Sequence, residues 1–112
     1  MPEITLTPAD GTVVVRTGGA VIAESTNALV LHEDGHEPVF YIPREDVGTM
    51  FLEPSATRTT CPKKGEATHF SIVAKSGPIR DAAWSYETPH EALAAIAGMV
   101  AFYGDKAAVE LL

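Results

Sequence analysis

Residues able to do chemistry fall into four short segments of this chain. The first, His32-Glu33-Asp34-Gly35-His36, matches letter for letter the pattern with which zinc peptidases hold their metal. That chemistry needs both histidines on one face of a helix, with the glutamate beside the metal-bound water. Asp34-Gly35 is instead a turn signal between two strand-like runs, so a hairpin is expected here, with at most a weak adventitious metal site. The second segment, Cys61-Pro62-Lys63-Lys64-Gly65, sets the only cysteine beside two cations. Neighbouring ammonium groups favour the nucleophilic thiolate form of a cysteine. Two readings of Cys61 stay open: a nucleophilic or redox thiol, or a small buried hydrophobe beside solvated lysines. Lys64-Gly65 also resembles the end of a phosphate loop, without the glycine-rich frame that should precede it.

In the third segment, Ala82-Ala83-Trp84-Ser85-Tyr86, strand alternation puts Trp84 and Tyr86 on one face. Small neighbours such as Ala82 leave room for a concavity beside the rings, and the alternative is that both aromatics fill the core. The fourth, Arg44-Glu45-Asp46 after Pro43, suits either a ligand-orienting cation or a local ion pair at a turn. His69 reads as a strand residue and His90 as an exposed residue at a helix start. Phe102-Tyr103 reads as core followed by rim.

The elements that must position these groups are mostly strands. Thr12 to Thr17 and Ala20 to Ser25 flank Gly18-Gly19, a hairpin signal because glycine accepts the positive φ of a tight turn. Ala28 to Glu33 and Val39 to Ile42 form a second pair around Asp34-Gly35, and Pro43 stops the ladder. Glu66 to Ala74 and Ile79 to Tyr86 pair around the turn at residues 75–78. Met99 to Tyr103 is a further strand. Arg44 to Phe51 holds about one helical turn, and Leu52 to Gly65, with two prolines and a threonine run, reads as loop. Thr88-Pro89-His90-Glu91 has the spacing of a capping box, with Pro89 at the first helical position. Leu93, Ile96 and Ala97 then share one face of a short helix that Gly98 ends. The predicted fold is mainly β, a single domain over residues 1–112 with one short helix in its C-terminal half.

Composition narrows the function classes. The 112 residues carry 15 acids against 8 bases, a formal charge of −7, and only Lys63-Lys64 stands as a basic cluster. A chain so acidic repels phosphate backbones, so nucleic acid is not an expected partner. No basic start followed by an apolar run suggests a secretory signal, and no apolar stretch approaches the ~20 residues of a membrane helix. One cysteine builds neither an internal disulfide nor a multi-thiolate zinc site, so no metal or cofactor is expected and a reduced, cytoplasmic setting is.

Tyr41 to Val47, Thr60 to Ala67, Ala82 to Tyr86 and Val100 to Tyr103, in that order and spacing, resemble one family. It is the bacterial and fungal domain-of-unknown-function family 427, sometimes labelled nucleotidyltransferase-like. The likeness runs from about Thr12 to the carboxyl end. It implies a mainly β fold similar to the tent topology shared by the Mss-four-like exchange-factor group and the methionine-R-sulfoxide reductases. It implies no activity. The paired zinc cysteines of the tent proteins are absent, and so are the closely spaced carboxylates with which nucleotidyltransferases hold magnesium. His69-Phe70 stands where relatives tend to carry aromatic pairs, and Gly104 where they often carry proline. The expectation is a small-molecule site for a polar or anionic ligand, walled by Trp84 and Tyr86 with Arg44, Cys61 and Lys64 at its mouth. The alternatives are a thiol-dependent enzyme using Cys61, and a structural or protein-interaction module whose aromatics are core.

Overall fold

Val13, Val14 and Val15 are each at most 2% exposed, so this β-branched run is covered on both faces. In the computed structural model, which describes residues 4–75 and 77–112, they form the middle strand of a three-stranded antiparallel sheet. That strand, β2 (Val13–Thr17), pairs with β3 (Ala20–Ser25) through Gly18 and Gly19, whose φ values of 57° and 82° are those of a tight hairpin turn. Its other neighbour is β10 (Ala108–Leu111). A second sheet joins β1 (Ile4–Pro8), β4 (Leu29–Glu33) and β5 (Val39–Tyr41) in the order β1-β4-β5. The third runs β6-β7-β8-β9, with β6 at Leu52–Cys61, β7 at Gly65–Ala74, β8 at Gly77–Ser85 and β9 at Val100–Phe102. The turn expected at residues 75–78 includes Ser76, which lies outside the described residues.

The second and third sheets are tied by a bridge between Ile42 and Val100, with reciprocal backbone bonds of 2.9 Å. The first and second are tied through the short segment after β5, where Val47 bridges Ala23 and Gly48 N–H donates to Ile22 O at 2.8 Å. Between the sheets lies the larger apolar cluster, which includes Val13, Val15, Ile22, Ile42, Phe70, Ile72 and Val100. A smaller one gathers Leu31, Tyr41, Ala67, Tyr86, Leu93, Ile96 and Ala101, with Trp84 packed against it, and this cluster carries the site.

The mainly β expectation is met, and several local expectations are corrected. Leu52 to Cys61 is a ten-residue strand rather than a loop. Lying at a sheet edge, β6 tolerates the missing N–H of Pro54, and its threonines suit an extended backbone. Its exposed, irregular burial gives no hydrophobic alternation to read. Strands β1 and β10 also went unread, because each is short and exposed outside one or two positions. Arg44–Asp46 and Thr49–Phe51 are two separate 3₁₀ turns.

The capping box does not form. The helix is a 3₁₀ helix at Glu91–Ile96, preceded by His90 with no side-chain cap, and Thr88 lies outside it in a bend. Tertiary contacts set its start instead: His90 N–H donates to Lys64 O at 2.9 Å, and His90 Nε2 lies 2.9 Å from Pro62 O. Leu93, whose φ of −116° marks a kink between two short 3₁₀ turns, and Ile96 are both buried, whereas Ala97 is exposed. Gly98, at φ 73°, follows the last turn as expected.

Candidate functional site

Strand alternation places Trp84 and His69 side by side, because His69 on β7 pairs with Trp84 on β8. Trp84 also pairs with Ala101 on β9, which brings Tyr103, just beyond that strand, against the indole at 4.4 Å between ring centroids. From the second sheet, Tyr41 meets Trp84 edge-on at 6.3 Å, and the Trp84 Nε1–H donates to the Tyr41 hydroxyl at 3.2 Å. Tyr86 completes the group, 6.4 Å from Tyr41. These rings border a cavity of about 430 Å³ between the second and third sheets. Ala82 does not border it and is fully buried in the larger core.

The rim is built by the β6–β7 hairpin. Cys61 pairs with Gly65 across the turn, and Lys64 N–H donates to Cys61 O at 3.1 Å. This close turn holds the Lys64 ammonium 3.7 Å from the Cys61 Sγ. Facing it, β4 ends on Glu33, whose carboxylate accepts from Lys64 Nζ at 2.8 Å and Lys63 Nζ at 3.5 Å. The Asp34-Gly35 turn then forms, with Gly35 at φ 83° and His36 N–H donating to Glu33 O. The His32 to His36 segment is therefore a hairpin, as expected. His32 is exposed, with its Nε2 3.1 Å from Thr7 Oγ1. Among the described residues, no group of three or more metal-ligating side chains converges, and no helix is long and apolar enough to cross a membrane.

Electrostatics at the site follow from partial burial. The hydrogen bond from Lys64 holds Glu33 below the usual carboxylate range, against burial, which acts the other way. Burial pushes Lys64 down, but its bond to Glu33 and the neighbouring charges outweigh this and hold its ammonium above the ordinary value. Burial raises Tyr41, Tyr86 and Tyr103, so these phenols stay neutral and offer hydrogen bonds rather than charge.

The structure brings Cys61, Lys64, Trp84 and Tyr86 to one cavity and leaves Arg44 out of it. Arg44 Nη2 donates to Glu87 Oε1 at 2.6 Å, its Nε donates to Gly98 O at 3.0 Å, and its guanidinium stands 5.4 Å from the Phe70 ring centre. It clamps the end of the 3₁₀ helix to the turn after β5. Four residues at the site lie outside the sequence expectation: Glu33, seen only as part of a metal pattern, Tyr41, His69 and Tyr103, read only as rim. None carries a local signal, since each joins the cavity through strands distant in the chain.

The family model described as a domain of unknown function, DUF427, matches residues 5–111. A search of curated proteins found no match.

Proposed function

Because the chain belongs to the DUF427 family, a domain of unknown function, we propose from the site's own geometry that it binds a small, flat molecule in the aromatic cavity. The observation that carries this reading is the convergence of Tyr41, Trp84, Tyr86 and Tyr103 around about 430 Å³, within the range of small-molecule sites. Aromatic faces supply the apolar contact, and the phenols and rim groups orient a polar substituent. The sequence alone suggests a polar or anionic ligand, with Lys64 and Arg44 at the mouth of the site. Glu33 pairs with both lysines, Glu37 also borders the cavity and Arg44 is engaged elsewhere, so the rim charges balance and a weakly charged or neutral ligand fits better.

Trp84 is the only tryptophan, which makes its emission a direct reporter. Acrylamide should quench it, and benzyl alcohol or another small ring alcohol should protect it by occupying the cavity. A tryptophan as resistant to acrylamide as one in a sealed core would remove the site.

One observation favours a second reading, a thiol-dependent activity of Cys61: the Lys64 ammonium stands beside its sulfur. Iodoacetamide should then alkylate Cys61 faster in the native protein than in Lys64→Met. Equal rates would set this reading aside.

A further inference from the structure

Tyr86 is 8% exposed and borders the aromatic cavity. Its hydroxyl enters none of the hydrogen bonds among the described residues, yet it is not sealed off. The side-chain polar atoms that are both enclosed and unpartnered there belong to His69 and Ser85. In a residue so buried, an accessible hydroxyl without a protein partner on a cavity wall is a group that a ligand can reach. Burial keeps this phenol protonated, above its ordinary value, although the nearby Lys64 ammonium acts the other way. Its O–H is therefore a donor without an acceptor. Lys64 borders the same cavity with three N–H donors. One meets Glu33 at 2.8 Å and a second faces Cys61 Sγ at 3.7 Å, which leaves the third to spare. The Trp84 N–H, by contrast, is already spent on Tyr41.

We infer that Tyr86 and Lys64 together receive an acceptor atom, so that the ligand of this cavity is a flat ring carrying a neutral carbonyl oxygen. This rests on the small-molecule reading above and narrows it to one substituent. A carbonyl oxygen offers two lone pairs to the two donors and brings no proton that needs an acceptor of its own. A carboxylate would share its ammonium with Glu33 and meet Glu37 on the same rim, so like charges oppose it.

Acetophenone and ethylbenzene share a skeleton and differ in the carbonyl oxygen, and benzoate presents the charged alternative. Their binding is followed near neutral pH by the Trp84 indole N–H signal and by the carbonyl-carbon signal of isotope-labelled acetophenone. In the unaltered protein acetophenone should bind about tenfold more tightly than ethylbenzene, with its carbonyl signal moved downfield. In Tyr86→Phe, which keeps the ring, ethylbenzene should bind within about twofold of its original affinity while the preference for acetophenone collapses. The carbonyl shift in the wild type needs no variant, so the proposal stays testable if Tyr86→Phe fails to fold. Equal binding of acetophenone and ethylbenzene, a bound carbonyl signal that does not move, a preference untouched by Tyr86→Phe, or tighter binding of benzoate would overturn the carbonyl assignment and leave the aromatic cavity standing. Binding of none of the three would overturn both.

Discussion

Replacing Lys64 with methionine keeps the length of the side chain and removes its charge. In the native structure its ammonium lies 2.8 Å from Glu33, and the two side chains are 13% and 9% exposed. An exposed pair contributes about 0.2–1 kcal/mol, whereas breaking a fully buried pair costs about 3–5 kcal/mol. Glu33 is shielded by its immediate neighbours but stands at a cavity rim with water beyond, and Lys63 remains 3.5 Å away as a partial partner. The loss should therefore fall near the lower end, about 1–2 kcal/mol near pH 7, or roughly 5 °C in Tm for each kcal/mol.

The pH dependence has a definite sign. Because the folded carboxyl of Glu33 lies below its ordinary value, its contribution is present above the unfolded pKa of about 4.3 and is lost as pH falls through the folded one. Because Lys64 is raised, its contribution is complete below about 10.4 and is lost only as pH rises through the folded value. The gap between wild type and Lys64→Met should hold across neutral pH and narrow in acid. Urea unfolding of wild type, Lys64→Met, Glu33→Gln and the double variant, near pH 7 and near pH 3, measures the gap and the coupling. A coupling below about 0.3 kcal/mol near pH 7, within ordinary additivity, or a gap unchanged in acid, would refute the reasoning.

Tyr41→Phe removes the acceptor of the Trp84 indole N–H and should cost about 1–2 kcal/mol by urea unfolding, with a shift in Trp84 emission. Unchanged emission would mean the bond does not form in solution. Thr88→Ala should change stability by no more than about 0.5 kcal/mol, because Thr88 is exposed and caps nothing. A midpoint shift worth about 1 kcal/mol or more would restore the capping box. Ile42→Ala should cost about 2–5 kcal/mol, because Ile42 is fully buried where the second and third sheets meet. A smaller loss by denaturant titration would place that junction outside the cooperative core.

Strands that run continuously apolar or flank a clear turn signal were legible from the chain alone, whereas short β1 was not, although its residues alternate. The valines of β2, the Gly18-Gly19 turn and the Asp34-Gly35 turn are decided within a few residues by backbone sterics and side-chain periodicity. Edge strand β6 was not legible, since its extended backbone is imposed by pairing with β7 and not by burying one face. The same division runs through the site. Trp84 and Tyr86 share a face by alternation, and Cys61 and Lys64 meet across one tight turn, so the sequence could nominate them together. Arg44 was nominated on charge alone, and tertiary packing gave that charge to Glu87. Glu33 reaches Lys64 across 31 residues, and Tyr41 reaches Trp84 across 43. His69 is buried with one ring nitrogen unpartnered among the described residues, and no neighbour in the chain encodes that burial. Contacts of that span exist only after the sheets have packed, because local conformational preference acts over a turn or a strand, whereas packing chooses which distant faces meet.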